Sequence, residues 1–285
     1  MVPPMVVLSL FNGISVGKLA LDQLNIPVSC YLSSEIDKFA NIVSEHNHPH
    51  NIQLGDITNW KSWGLDWGSI DLVLAGSPCQ GFSLQGNQLA FDDKRSALYF
   101  VFVEILDHIN SLNPNVKFML ENVPMKQEFL VVISKRLDVE PLVINSNIIT
   151  AQSRKRYYWC NWDVELPEVE SIDYTSVVTE PGMFPAVTRK GDPRTTKFTG
   201  TQFACLTATY YKGIRADGRP YVASEEGEFD ELRASGKLRM LTPIESERLQ
   251  TLPDNYTLGV SNTQRYKMLG NGWTLKVIKH IFKSL

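Results

Sequence analysis

Seven short strand-like segments, most of them separated by stretches of helical spacing, constrain this chain more than any other feature. They are Met5–Phe11, Cys30–Ser33, Asn51–Ile57, Asp71–Ala75, Asn115–Leu120, Leu142–Ile149 and Tyr157–Asp163. Helices are expected over Lys18–Leu24, Ile36–His46, Ser96–Asn110 and Phe129–Leu137. Uninterrupted apolar strands are buried on both faces, and strands alternating with helices build an α/β, doubly wound, mostly parallel sheet. Such sheets bind ligands beyond the carboxyl ends of their strands. The residues just after each strand are therefore the ones to read for function.

Five of these positions carry chemistry. Met5–Phe11 runs into Asn12–Gly17 (NGISVG) and then a helix, the opening of a nucleotide-binding unit. The G-x-G-x-x-G spacing of a dinucleotide site is missing, and a plain tight turn is the alternative. Glu35 follows the second strand, 18 residues past Gly17, where a carboxylate accepts from ribose hydroxyls or caps the next helix. Asp56 ends the third strand and either meets an adenine amino group or caps its turn. Cys79 follows Leu72–Ala75 and the break Gly76-Ser77-Pro78. A thiol there is a candidate nucleophile, and a small buried core residue is the alternative. Glu121 ends the fifth strand beside that cysteine loop, which points to proton chemistry.

Beyond Asp163 the texture changes. Pro167–Asp217 is rich in Gly, Pro, Thr and charge, with short strand-like pieces such as CLTATYY, and helical spacing returns only near Glu228. The reading is an α/β core at 1–163 and a small irregular β-rich insert at 164–238. Residues 239–285 form a segment returning to the core. In that last segment Thr242 reads as a helix N-cap with Pro243 in the first turn. GNGWTLKVIKHIFKSL reads as a glycine turn feeding an amphipathic helix.

Charge and cysteine usage exclude several classes. No apolar run approaches the about 18 residues that span a bilayer, and the start lacks the basic region of a signal peptide. The four cysteines, Cys30, Cys79, Cys160 and Cys205, are far apart, which argues against a zinc site or a disulfide framework and for a reducing compartment. The net charge is −3, yet residues 186–220 hold seven basic residues against two acidic: Arg189, Lys190, Arg194, Lys197, Lys212, Arg215 and Arg219 against Asp192 and Asp217. Such a stripe either faces phosphates or is an ordinary solvated surface.

The order of motifs resembles that of the DNA (cytosine-5) methyltransferases, in their compact bacterial or phage form. LFNGISVG is similar to that family's cofactor turn, AGSPCQGFS to its nucleophile loop and ENV to its carboxylate motif. QSRKRYYW is similar to its Q-x-R-x-R motif, and RMLTPIESERLQTLP and YKMLGNGW to the two motifs after the recognition region. The resemblance covers nearly the whole chain outside roughly Val164–Gly236. The chain departs from the pattern at Ser9, where a carboxylate is common, at Cys205, where Thr is common, and at Gly272-Trp273 in place of Ser-Val.

The resemblance implies S-adenosylmethionine as cofactor. Phe11 and Gly13 would line its methionine end and Glu35 would bind the ribose. Asp56 would meet the adenine amino group, with Ile36 and Ile57 against the ring, and Pro78, Leu98 and Asn271 would complete the pocket. Cys79 would add to carbon 6 of a cytosine rotated out of duplex DNA. Glu121 would act at N3 as proton donor or anchor, and Arg154 and Arg156 would hold the ring oxygen. The Gln80–Asn87 loop, with Gln80, Ser83 and Gln85, would close over the base. Arg189, Lys190, Arg194, Lys197, Lys212 and Arg215 would meet the DNA. A monomer without metal, working in the cytoplasm of a bacterial or phage-infected cell, is expected, and a companion restriction endonuclease is left open. The competing readings are a tRNA cytosine-5 methyltransferase, a catalytically inactive DNA- or cofactor-binding module, and a nicotinamide-dependent dehydrogenase.

Overall fold

The computed structural model describes residues 3–77, 97–178, 180–189, 192–215 and 217–285, with the side chains of 97, 189 and 192–194 left out. Pro78, Cys79, Gln80, Ser83, Gln85 and Lys190 therefore lie outside the described residues, and Arg189 and Arg194 enter as backbone alone. The chain divides into two compact units. One comprises Met1–Ile144, Lys155–Leu166 and Ile278–Leu285; the other comprises Asn145–Arg154 and Pro167–Val277.

The first unit is built on a seven-stranded sheet. Its strands are β1 (Met5–Leu10), β2 (Val28–Ser34), β3 (Ile52–Gln53), β4 (Leu72–Gly76), β5 (Lys117–Asn122), β6 (Leu142–Asn145) and β7 (Lys155–Cys160). Their spatial order is β3-β2-β1-β4-β5-β7-β6. β1 pairs in parallel with β2 and β4, β2 with β3, and β4 with β5. β7 runs antiparallel to β5, so the sheet is mixed at that edge. Helices α1 (Val16–Gln23), α2 (Lys38–Asn47), α3 (Ala97–Leu112) and α4 (Gln127–Leu137) supply the crossovers. Leu72, Val73, Leu74 and Ala75 are all fully buried, as a central strand covered on both faces requires. The core on the α3 side gathers Leu8, Leu10, Val73, Ala75, Phe102, Ile105, Phe118, Leu120 and Trp159.

Two expected strands end four residues sooner than read. β3 stops at Gln53, because Asp56 caps a 3-10 turn over Ile57–Ser62 by accepting from the Thr58 N–H at 2.9 Å. β6 stops at Asn145, whose side chain likewise caps the 3-10 turn Ser146–Ile148. In both places a short polar side chain offers the backbone a turn in place of the ladder.

The second unit carries a five-stranded antiparallel sheet: β8 (Phe184–Arg189), β9 (Asp192–Phe198), β10 (Pro220–Ala223), β11 (Gly227–Glu228) and β12 (Leu238–Arg239), in the order β11-β9-β8-β10-β12. Helix α5 (Phe229–Ala234) packs on it through Phe229 and Leu232. Helices α6 (Pro243–Leu249) and α7 (Asn262–Asn271) follow, then α8 (Leu275–Phe282), within which the boundary between the units falls. Thr242 caps α6 in a full capping box with Glu245, and Pro243 sits at its start.

The units differ from the boundaries read in the sequence. Residues 145–154 and 239–277 belong to the second unit, and only 278–285 fall in the first. The reason is a buried polar network. Gln152, fully buried, donates to Leu249 O and Gln250 Oε1 and accepts from Leu206 N–H at 2.9 Å; Gln250 in turn donates to Leu269 O and accepts from Thr274. Buried amides of this kind hold only if every arm is satisfied, and the partners lie far apart in sequence. CLTATYY is not a strand: Tyr210–Lys212 form a single 3-10 turn.

Candidate active site at the carboxyl edge of the first sheet

The carboxyl ends of β1, β2, β4 and β5 are in register. Leu10 pairs with both Ser34 and Ala75, and Gly76 pairs with Glu121. The residues that follow these ends are thus delivered to one edge of the sheet, as the alternation of strands and helices implied.

At β1 the chain turns sharply. Phe11, Gly13 and Ser15 all have positive φ, 56°, 56° and 61°. Glycine takes this conformation without penalty, whereas Phe11 and Ser15 are held in it by their surroundings. A Cβ on Gly13 would meet nothing within 4 Å, so the turn stands open there. Glu35 fixes the turn to the end of β2. One carboxylate oxygen accepts from Gly13 N–H at 2.8 Å, and the other accepts from Ile36 and Asp37 N–H, each at 2.8 Å. Glu35 is not the N-cap of α2; Asp37 fills that position, accepting from Phe39 N–H.

Ile36 is 74% exposed, a large apolar side chain left uncovered beside this carboxylate. Asp56 is exposed as well. Ile57 is only 4% exposed and is packed into the core, and Leu98 is partly buried against that same core. An acceptor carboxylate, an open glycine turn and an uncovered apolar side chain are what a nucleoside needs: ribose hydroxyls donate to carboxylates and a purine face is apolar. The residues present fit an adenosyl group.

At β5, Glu121 and Asn122 are both largely buried. Asn122 donates to Ser77 Oγ at 3.0 Å, tying the end of β5 to the residue two positions before Cys79. Arg156 on β7 places Nε 3.0 Å from the Glu121 carboxylate. Arg154 goes elsewhere. Its guanidinium donates to Leu206 O at 2.9 Å, Gly270 O at 3.1 Å and Gly272 O at 3.0 Å, and to Cys205 Sγ at 3.4 Å. Read as a pair on one ring oxygen, Arg154 and Arg156 are in fact divided between the two units. The two carbonyls Gly270 O and Gly272 O flank Asn271, which ends α7 and is exposed.

Of the basic stripe, Lys197, Lys212 and Arg215 are exposed. Arg219 is not part of it. The side chain is 7% exposed and is engaged by Asp217 and by the carbonyls of Thr209, Tyr210 and Gly213. A role for Gly270 was missed in the sequence. A Cβ there would fall 2.1 Å from the Thr207 backbone, so α7 reaches that strand of chain only through a glycine. Among the described residues no helix is long and apolar enough to cross a membrane, and no group of three His, Cys, Asp or Glu is placed to hold a metal ion.

Sheet order, mixed edge and nucleoside-type turn define a protein of the methyltransferase fold. Consistent with this, a DNMT2 structure from Spodoptera frugiperda superposes with a TM-score of 0.70 at 22% identity, covering 98% of each chain. The family described as C-5 cytosine-specific DNA methylase matches residues 5–172 and 194–285, and the chain belongs to it. Among its relatives are the type II methyltransferases M.NlaX of Neisseria lactamica, 28% identical over 98% of this chain and 95% of that protein, and M.HhaI of Haemophilus parahaemolyticus, 26% identical over 96% and 92%.

Proposed function

We propose that the protein is a DNA (cytosine-5-)-methyltransferase acting on a cytosine turned out of duplex DNA. The observation that carries this reading is the Glu121–Arg156 pair at the end of β5, held in register with the strand that leads to Cys79. The relatives named as type II methyltransferases support duplex DNA as the substrate and leave a restriction endonuclease companion open.

S-adenosylmethionine, when bound, would supply the methyl group from its sulfonium and be left as S-adenosylhomocysteine. Phe11, Gly13, Glu35, Ile36 and Asp56 would hold it, with Ile57 and Leu98 behind and Pro78 and Asn271 completing the pocket. The Cys79 thiolate adds to carbon 6 of the ring, and the electron pair released onto the ring makes carbon 5 nucleophilic. Glu121 anchors N3, where the added charge collects, and Arg156 orients Glu121 and would hold the ring oxygen. Carbon 5 takes the methyl group, a base removes the proton from carbon 5, and the Cys79–carbon 6 bond breaks to return the thiolate. Arg154 acts at a distance, by bracing the backbone around Asn271. Gln80, Ser83 and Gln85 would contact the DNA, and Lys197, Lys212, Arg215 and the basic residues Arg189, Lys190 and Arg194 would meet phosphates or base edges.

The test is methyl transfer from labelled cofactor to duplex DNA and, in parallel, to tRNA. Transfer to the duplex, abolished in Cys79→Ala, is the expected result. Transfer to tRNA alone would replace the substrate, and undiminished transfer by Cys79→Ala would remove the nucleophile.

A further inference from the structure

The turn after β1 holds two side-chain-bearing residues, Phe11 and Ser15, at φ of 56° and 61°, where only glycine sits freely. Such backbone persists only where its surroundings over-determine it. Glu35 and the Ser34 carbonyl, which accepts from Asn12 N–H at 3.0 Å, tie the turn to the end of β2. A second set of bonds reaches it from the protein interior, through residues with no part in the proposed cofactor contacts.

This set is a relay of polar groups that crosses four elements. Tyr31 on β2 is buried, and its hydroxyl donates to Asn12 Oδ1 at 3.3 Å. The same phenol oxygen accepts from the Ser9 hydroxyl on β1 and from Lys18 N–H in the first turn of α1. Ser15, the N-cap of α1, makes no side-chain cap bond, so Tyr31 caps the helix in its place. The Asn12 amide then donates to Ser15 Oγ at 2.7 Å, and Asn51 Nδ2 donates to that oxygen at 3.2 Å. Two amide donors fill both lone pairs of the Ser15 hydroxyl, so its own proton points to Ser44 Oγ on α2, 2.6 Å away. Ser9, Ser15 and Ser44 are all out of solvent.

Each member of the relay has its orientation fixed by the next, so the turn is held as a unit. The hydroxyl at Ser9 has a place in this. The carboxylate common in the family at that position could only accept, and would draw the phenol proton away from Asn12. We infer that the relay sets the turn in its binding conformation before S-adenosylmethionine arrives, with Tyr31 and Ser44 as positioning residues that act through Asn12 and Ser15. Both are too deeply buried to touch a ligand. A turn already ordered leaves less to order on binding, and loosening it divides the affinity by the fraction of time it is correctly formed. The inference rests on the proposed reading of this turn as the cofactor site.

The experiment uses the full chain. Calorimetric titration with S-adenosylhomocysteine measures affinity, hydrogen exchange in a peptide spanning residues 11–19 reports the turn in the ligand-free protein, and denaturant unfolding reports stability. Tyr31→Phe, which removes one oxygen and keeps the ring, and Ser44→Ala are each expected to weaken binding by about fivefold or more and to speed exchange in that peptide. In methyl transfer, KM for the cofactor rises while kcat at saturating cofactor stays within about twofold of wild type. Ile133→Val, which trims a fully buried side chain on α4 of the same unit, supplies the comparison for stability: it lowers the unfolding midpoint and leaves binding and exchange at the turn unchanged. Affinity unchanged in Tyr31→Phe and Ser44→Ala, or weakened no more than in Ile133→Val, would overturn the inference and make the relay ordinary core packing. A wild-type chain that binds no S-adenosylhomocysteine would instead remove the cofactor reading, and this inference with it.

Discussion

Arg156 Nε lies 3.0 Å from the Glu121 carboxylate across the antiparallel β5–β7 pair, with both side chains almost out of solvent. Removing Arg156 takes a charged partner from a largely buried carboxylate. Arg156→Met is expected to lower the stability of the first unit by about 3 kcal/mol, because breaking a buried ion pair from one side leaves its charge poorly compensated. Denaturant unfolding monitored by tryptophan fluorescence measures this. A loss under half that size would mean that water reaches the carboxylate and that the pair is not closed.

Glu121→Gln keeps the shape and removes the charge. Turnover should fall by about two orders of magnitude or more, as for a lost proton-transfer or anchoring group, with DNA affinity within about threefold of wild type. Single-turnover transfer and a binding titration separate the two. Equal losses in both would make Glu121 a structural carboxylate.

Arg154 engages three carbonyls and the Cys205 thiol in the second unit. Arg154→Lys should destabilise that unit by about 3 kcal/mol, since one ammonium cannot span these acceptors and carbonyls are left unpaired. Arg156→Lys, by contrast, should lose turnover more than stability. The same unfolding and turnover assays on both variants test the contrast, which disappears if the two arginines share one role.

Gly270→Ala is a one-carbon change with a large expected effect. The added Cβ would sit 2.1 Å from the Thr207 carbonyl carbon and 2.2 Å from its oxygen. Backbone must shift, at about 2 kcal/mol or more. A thermal midpoint within a degree of wild type would show that α7 and the Thr207 segment part easily.

His48 sits between the ends of α1 and α2, with Nδ1 3.5 Å from Asp22 and Lys18 paired to the same carboxylate. Burial pushes its imidazole down to about 4 from the ordinary 6.5, against the pull of Asp22. The folded state therefore binds fewer protons at His48 than the unfolded state between those two values. Stability contributed here is present above 6.5 and is lost as pH falls toward 4. His48→Gln should flatten this part of the acid limb, by at most about 3 kcal/mol, read from unfolding free energies at pH 7 and pH 4.5. An unchanged slope would assign the acid sensitivity to other groups.

Much of this protein is legible along the chain because its signals are local. Leu72–Ala75 is a run of apolar residues that must be covered on both faces, Thr242-Pro243 is a helix start through a side-chain cap and a fixed φ within a few residues of each other, and both stand as read. The same locality brought Glu35 and Glu121 to one sheet edge, since each simply follows a strand. What local pattern could not supply is the fate of groups whose partners are distant. Two arginines separated by one residue look equivalent, yet Arg154 meets carbonyls 52 to 118 positions away while Arg156 meets Glu121. Arg219 looks like one more surface cation and is buried. Gly270 looks like a flexible joint and is a contact point. In each case the outcome depends on which backbone arrives opposite the side chain, and only the folded chain decides that.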